Sequence, residues 1–172
     1  MELRLEHCTL RPWRKGDEPA LVRYADNRKI WRNLFDAFPH PYGLLDAITW
    51  VARHAGVEPV RFFAIDHAGE LAGSIAVVPL DDVHARTSEI GYWIAEPFWG
   101  RGLATEAVRG LTSHAFETFP ELVRIQAAVF GGNVASMRVL EKAGYEREGV
   151  LKQSVWKDGQ LLDSMLYTKL RR

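Results

Sequence analysis

Residues 97–106 read PFWGRGLATE and residues 133–145 read NVASMRVLEKAGY, and these two stretches decide the fold. In the first, Gly100 and Gly102 join a strand-like segment to a helical pattern. Glycines at such a junction let consecutive backbone N–H groups point at one anion, and the dipole of the following helix favours negative charge there. The stretch therefore predicts a cradle for a phosphate group, to which Arg101 adds a positive charge.

The predicted cradle differs from two common nucleotide-binding motifs. A P-loop requires Gly-Lys-Ser/Thr at a fixed spacing, and the dinucleotide fingerprint requires a third Gly or Ala where this chain has Thr105. Taken alone, two glycines also fit an ordinary turn between a strand and a helix. The second stretch is what separates these interpretations.

The sequence of the first half of the chain predicts both strands and helices. The expected elements are a first strand over residues 3–10, a helix capped by Asp17 with Leu21, Tyr24 and Ala25 on one face, a second helix with Leu45, Ile48, Val51 and Ala52 on its apolar face, and strands over 61–65, 71–80 and 87–95. The short turn at 66–70 forces an antiparallel hairpin.

The second half predicts a strand–helix–strand–helix unit followed by a hairpin. A helix starts at Gly102, a strand covers 123–130, and Asn133 opens a helix that Gly144 ends. Asp158-Gly159 supplies the positive φ angles of a tight turn. We therefore expect an α/β fold with a mixed sheet and helices on its faces, in one domain over residues 1–172.

In this order and spacing the two stretches resemble the GNAT superfamily of acetyl-CoA-dependent N-acetyltransferases. The segment EIGYWI at 89–94, followed by FWGRG at 98–102, is similar to the RimJ/RimL-type branch, named for acetylation of ribosomal-protein amino termini. The resemblance covers nearly the whole chain, from LRP at 10–12 to the closing hairpin. It implies a central, mostly antiparallel sheet that splays at the coenzyme site.

The resemblance also implies acetyl-CoA as the coenzyme and indicates the residues that bind it. They are Trp93, Ile94, Gly100, Arg101, Gly102, Leu103, Ala104, Thr105, Asn133 and Ser136. The family usually has Gln or Arg two positions before Arg101, where this chain and the RimJ/RimL branch depart from the pattern with Trp99. Asn133 equally fits a plain helix cap, worth about 1 kcal/mol.

Acetyl transfer requires a base, because an ammonium group with an ordinary pKa near ~10 must lose a proton before it can attack. Glu89 is the first candidate, since it precedes the coenzyme-binding half of its strand and matches a family position that is often acidic. Strand alternation places Glu89, Gly91 and Trp93 on one face. Glu89 also fits a solvated residue paired with Arg86 or Arg61.

The departing thiolate needs a proton, which many superfamily members supply from a Tyr seven residues after the Asn. This chain has Leu140 there, and Ser136 is the nearest hydroxyl on the same helix. Ser136 is therefore the candidate acid. A residue three positions after an N-cap also often does no more than complete the cap.

An aromatic cluster lies between the first two long helical segments. It contains Trp31, Phe35, Phe38 and Tyr42, with Asp36 and His40 among them. In the superfamily this region shapes the acceptor pocket, so Trp31, Phe35, Asp36 and His40 are candidate substrate-binding residues. Clusters of aromatic residues also form ordinary hydrophobic core.

The composition limits the classes of partner. Lys plus Arg and Asp plus Glu both total 22, so the formal net charge is zero and direct binding to nucleic acid or to a membrane is not expected. Cys8 is the only cysteine, which excludes an internal disulfide, and the six histidines show no metal-ligand spacing. Without a signal-like apolar stretch, the chain fits the cytoplasm.

The sequence thus predicts transfer of an acetyl group from acetyl-CoA to a primary amine, by direct attack in a ternary complex. The acceptor is either a protein amino terminus, such as that of a ribosomal protein, or a small amine. A second class stays open because of Leu140: a domain that binds acyl-CoA without turnover, as a sensor or regulatory subunit. Whether the chain forms a homodimer is also left open.

Overall fold

The structure, a computed structural model, describes residues 1–171. Its strands are β1 (Leu3–Arg4), β2 (Thr9–Pro12), β3 (Phe62–His67), β4 (Glu70–Pro79), β5 (Thr87–Ile94), β6 (Arg124–Phe130), β7 (Glu146–Lys157) and β8 (Gln160–Leu170). Its helices are α1 (Glu18–Ala25), α2 (Arg28–Trp31), α3 (Leu44–His54), α4 (Leu103–Thr118) and α5 (Val134–Lys142). The strands form one mixed sheet in the order β1-β2-β3-β4-β5-β6-β8-β7, which confirms the α/β fold class.

The chain divides into two compact units. The first contains Met1–Ala76 and Tyr92–Ala107, and the second contains Val77–Gly91 and the chain from Val108 onward. Strands β4 and β5 and helix α4 therefore each contribute to both units. The expectation of a single domain stays a prediction.

In the first unit, β1, β2, β3 and β4 follow one another as antiparallel neighbours. The prediction of one strand over residues 3–10 is wrong, because the chain turns between β1 and β2, where the Leu5 N–H donates to the Cys8 carbonyl at 2.9 Å. The β3–β4 hairpin is confirmed. Its turn consists of Ala68 and Gly69, both with positive φ angles of 54° and 84°.

Helix α1 buries Leu21, Tyr24 and Ala25, as predicted. The face predicted for α3 is right only at Val51, which is buried: Leu45 is 76% exposed, Ile48 and Ala52 are also exposed, and Ala47 is buried in their place. The small side chain of Ala47 lets the helix pack closely against the core. Apolar residues also occur on protein surfaces, so apolar character alone does not decide which side of a helix faces inward.

Asp17 stands at the N-cap position of α1, yet its side chain makes no capping hydrogen bond. Both of its carboxylate oxygens instead accept from the guanidinium of Arg11, at 2.8 and 2.9 Å. Arg11 also donates to Asp66 of β3 at 3.1 Å. The buried ion pair therefore fixes the start of α1 to strands β2 and β3.

In the second unit, β5 and β6 run parallel, with a register from Thr87–Arg124 to Glu89–Gln126. Strand β6 pairs antiparallel with β8, and β8 pairs antiparallel with β7. The predicted turn at Asp158-Gly159 is confirmed by φ angles of 53° and 72°. Burial alternates along the start of β5, with Ser88 and Ile90 inside, as the strand pattern predicts.

Candidate functional site

The phosphate cradle predicted from the sequence has the backbone geometry that such a site needs. Gly100 and Gly102 have φ angles of 75° and 81°, and nothing stands within 4 Å of where a Cβ would be at either position. Helix α4 begins directly afterwards, at Leu103. The first N–H groups of a helix have no partner inside it, so the start of α4 presents donors next to an open backbone.

Trp99 takes a different role from the Gln or Arg usual at its position. Its indole Nε1 donates to the carbonyl oxygen of Ile94 at 2.6 Å, across the turn that joins β5 to the loop. Arg101 lies over the ring of Phe98, with its guanidinium carbon 5.4 Å from the ring centre. The side chains of this loop thus brace the backbone, and the open face of the cradle is formed by main-chain groups.

A glycine that the sequence analysis missed sets the position of the end of β5. A Cβ at Gly73 of β4 would overlap the carbonyl oxygen of Trp93 and lie 3.1 Å from the Cα of Ile94. Beside it, the Ala95 N–H donates to the Ala72 carbonyl at 2.8 Å. The signal in the sequence is a glycine inside an apolar strand, which marks a bulge or a close backbone approach.

The segment from Asp26 to Tyr42 is fixed to the turn that precedes the cradle. Asn27 caps α2, a short helix that the sequence analysis missed, and donates from Nδ2 to Glu96 at 2.7 Å. The ammonium of Lys29 also bonds Glu96. These hydrogen bonds, that from Lys29 first, lower the pKa of Glu96 below its ordinary value.

The same segment contacts β5 through aromatic rings. The ring centre of Phe38 lies 5.0 Å from that of Tyr42 and 6.0 Å from that of Trp93. Tyr42 is buried in the hydrophobic core, with Phe38 packed against that core. Part of the aromatic cluster is therefore ordinary core, which was the second interpretation of the sequence.

The predicted acceptor residues have different environments. Trp31 and His40 stack with ring centres 5.5 Å apart, whereas Phe35 is 68% exposed and Asp36 is also exposed. Asp26, which the sequence analysis missed, lies with Oδ1 at 3.3 Å from His40 Nδ1. The structure therefore brings together Trp31, His40 and a carboxylate that has no motif of its own.

Glu89 is exposed on β5, and its Oε1 accepts from the side-chain amide of Gln126 at 3.1 Å. Arg86, one of the two arginines considered as its partner, donates from Nε to the carbonyl of Glu121 at 2.9 Å. Within the second unit, Glu89 therefore has a neutral amide as its hydrogen-bond partner.

Asn133 caps α5, where its Oδ1 accepts from the backbone N–H of Ser136 at 3.3 Å. The cap predicted for Asn133 is confirmed. Ser136 is half-buried on the first turn, while Leu140 is completely buried in the core. The position at which many family members carry a Tyr thus serves packing in this chain.

The site residues predicted from the sequence are divided between the two units. The first unit holds Trp93, Ile94, the cradle at 100–105 and the acceptor candidates Trp31, Phe35, Asp36 and His40, and the second holds Glu89, Asn133 and Ser136. No helix among residues 1–171 is long and apolar enough to cross a membrane. Over the same described residues, no group of three or more His, Cys, Asp or Glu side chains could hold a metal ion.

The family model of the acetyltransferase (GNAT) domain matches residues 7–146. This match spans most of the chain and contains both the cradle and the capped start of α5. The chain belongs to the GNAT acetyltransferase family.

Three similar proteins illustrate the range of the family. The chain is 39% identical, over 72% of its own length and 66% of the other's, to a Bacillus subtilis (strain 168) protein named "Putative ribosomal N-acetyltransferase YdaF". It is 26% identical to the spermidine N(1)-acetyltransferase of Escherichia coli (strain K12), over 88% of this chain and 79% of that one. The solved structure of Mycobacterium smegmatis RimJ in complex with CoA-disulfide superposes with a TM-score of 0.81 at 28% identity, covering 99% of this chain and 86% of that chain.

The match spans only part of the curated relatives. It covers just under two thirds of YdaF and about half of two further Bacillus subtilis N-acetyltransferases, at 53% and 55%. Membership of the family therefore establishes the fold, while the site residues, the reaction and its acceptor belong to the proposed function.

Gly73→Ala should displace the end of β5, because its Cβ would collide with the Trp93 carbonyl. We expect a loss of stability of about 1–3 kcal/mol, as for other overpacked positions, measured by urea unfolding. Gly91→Ala is the matched control on β5, since its Cβ would meet nothing within 4 Å. Equal stabilities for the two variants would contradict the close approach of β4 and β5.

Proposed function

We propose that this chain transfers an acetyl group from acetyl-CoA to a primary amine by direct attack within a ternary complex. The observation that carries the proposal is the open cradle at Gly100 and Gly102, with left-handed backbone at both glycines and the start of α4 directly behind them. Family membership supports it, and so does the similarity to a RimJ structure that holds a CoA-disulfide.

The residues of the cradle fit the charge of a pyrophosphate. Backbone N–H groups at the start of α4 donate without requiring a particular side chain, and the helix dipole adds about half a positive charge. Arg101, whose guanidinium lies over the Phe98 ring in the same loop, adds a positive charge to the loop. We propose that Gly100, Arg101, Gly102, Leu103, Ala104 and Thr105 hold the pyrophosphate, with backbone at Trp93 and Ile94 bonding the pantetheine arm and Asn133 and Ser136 also contributing to coenzyme binding.

The acceptor that we propose is a primary amine. Two relatives carry names that point to different acceptors: YdaF is named a ribosomal N-acetyltransferase, and the Escherichia coli enzyme is named a spermidine N(1)-acetyltransferase. Trp31 and His40 offer aromatic surface, and Asp36 offers a negative charge that suits an ammonium group. Because these features serve both kinds of amine, a panel of acceptors is required to separate them.

Binding of acyl-CoA without turnover is the second candidate function, and one observation favours it. Leu140 is buried in the core, so no Tyr hydroxyl is present at the position where many family members carry one. A sensor would bind the coenzyme through the same cradle and release no CoA. Turnover therefore distinguishes the two functions, whereas coenzyme binding does not.

Acetyl-CoA should raise the melting temperature of the protein, whereas NAD and ATP should barely change it. At a ligand concentration one hundred times Kd, acetyl-CoA would add about 2.7 kcal/mol of stability. Gly102→Val should abolish this shift, because its side chain would occupy the open face of the cradle. The measurement is thermal unfolding with each ligand.

Gly16→Val is the matched control, since Gly16 also has a positive φ angle, 103°, and open space at its Cβ but lies before α1. Both valines strain the backbone in the same way, so both variants should be less stable. Loss of the acetyl-CoA shift in both would mean that general destabilisation, and not the cradle, abolished binding. Equal shifts from all three ligands would overturn the coenzyme assignment.

The Ser136→Ala variant should show whether Ser136 acts as the acid that protonates the thiolate or only has a structural role at the start of α5. If the hydroxyl protonates the departing thiolate, as we propose, turnover at saturating substrates should fall, and more for the thioester with the poorer leaving group. The experiment compares two thioester donors in wild type and variant. The same rate ratio for both donors would remove Ser136 from the chemistry and leave it a structural role.

A further inference from the structure

We infer that His40, positioned by Asp26, takes the proton from the acceptor ammonium, an inference that rests on the proposed acetyl transfer. His40 Nδ1 lies 3.3 Å from Asp26 Oδ1, and the imidazole stacks on the indole of Trp31 with an angle of 30° between the ring planes. A carboxylate next to Nδ1 favours the tautomer whose proton is on Nδ1. Nε2 is then unprotonated and free to act as a base.

Asp26 is itself held in place by the backbone. It is the C-cap residue of α1, where its N–H donates to the carbonyl of Val22 at 3.3 Å. Its Oδ1 accepts from the backbone N–H of Tyr42 at 2.9 Å, two residues after His40. The Asp26 carboxylate thus links the end of α1 to the segment that carries His40, and it positions the His40 ring.

Two contacts attach this pair to the coenzyme-binding segment of the same unit. On one side, Asn27, adjacent to Asp26, donates to Glu96, which begins the turn before the cradle. On the other side, Phe38, two residues before His40, packs against Trp93 at the end of β5. The chain segment that carries Asp26 and His40 is therefore anchored near both residues to the elements that we propose to hold acetyl-CoA.

A carboxylate, an aromatic face and solvent surround the His40 imidazole. The Oδ1 atom of Asp26 lies 3.3 Å from Nδ1, and the ring stacks on the face of Trp31. Arg28 is the positive group on the same indole, with its guanidinium carbon 5.8 Å from the ring centre. The His40 side chain is 27% exposed, so an acceptor can reach it from solvent.

The proton balance is complete without another reactant. His40 Nε2 accepts one proton from the acceptor ammonium, and the amine nitrogen then forms the C–N bond to the acetyl carbonyl carbon. The C–S bond breaks, its electron pair leaves with the sulfur, and the second proton lost by the nitrogen ends on the thiolate. Imidazolium at His40 returns its proton to solvent.

Imidazole suits this step better than a carboxylate does. Histidine is the side chain that enzymes use most often as a general base. Glu89 is the competing candidate, exposed and bonded to the Gln126 amide. The two assignments differ in which variant loses turnover and in whether imidazole restores it.

His40→Ala should lower kcat by about 10²- to 10⁴-fold, the usual contribution of a general base. Free imidazole in the buffer should restore part of the loss, because it can occupy the space left on Trp31. Asp26→Asn keeps an acceptor for the Tyr42 N–H and should lower kcat by at least about tenfold with little change in KM. His84→Ala, which alters an exposed histidine in the second unit, is the control for a general histidine effect.

A spectroscopic measurement tests the positioning role of Asp26 without activity. Long-range ¹H–¹⁵N correlation of neutral His40 should show the proton on Nδ1 in the wild type and a shift toward the Nε2–H form in Asp26→Asn. A merely structural role of Asp26 would leave the tautomer unchanged. The same tautomer in both proteins would therefore overturn the inference.

The outcomes also separate this inference from the proposed function. If wild type binds acetyl-CoA but acetylates no amine, the proposed function fails. If wild type acetylates an amine and His40→Ala does so at the same rate, only the inference fails. Loss of turnover in Glu89→Gln with normal turnover in His40→Ala would give the base role to Glu89, and loss in His40→Ala that imidazole cannot restore would also contradict the inference.

Discussion

The close approach of two backbones, Gly73 of β4 and Trp93 of β5, is the constraint on which the first unit depends. Because no side chain separates them, the end of β5 lies directly on β4, and the Ala95–Ala72 hydrogen bond follows. The Trp99 indole then fastens the loop back to the Ile94 carbonyl. From this fixed point the chain turns through Gly100 and Gly102 into α4, so the open face of the cradle is a consequence of strand packing.

The segment from Asp26 to Tyr42 depends on the same fixed point. Phe38 packs against Trp93, and Asn27 and Lys29 bond Glu96 at the beginning of the next turn. The segment between these contacts carries Trp31 and His40. A change at the end of β5 should therefore affect the cradle at Gly100 and Gly102 and the segment from Asp26 to Tyr42 together, even though they are far apart in sequence.

The sequence predicted correctly those turns and caps that depend only on residues close together in the chain. Asp158-Gly159 requires positive φ angles and has them, and Asn133 caps α5 through its own side chain. Features that depend on distant partners were missed or wrong. Asp17 follows the pattern of a cap, but a buried Arg11 takes its carboxylate, since pairing a buried charge outweighs one capping bond. Asp26 and Gly73 have no motif, because their roles arise only when another strand or loop lies against them.

The most direct test of the account is turnover with a panel of amines. Peptides that begin with Ala, Ser and Met are offered together with spermidine, and mass spectrometry follows acetylated amine while a thiol reagent follows free CoA. We expect at least one amine to gain a single acetyl group, with one CoA released for each. If the protein binds acetyl-CoA but releases no CoA with every one of these amines, that result would contradict acetyl transfer and favour a coenzyme sensor.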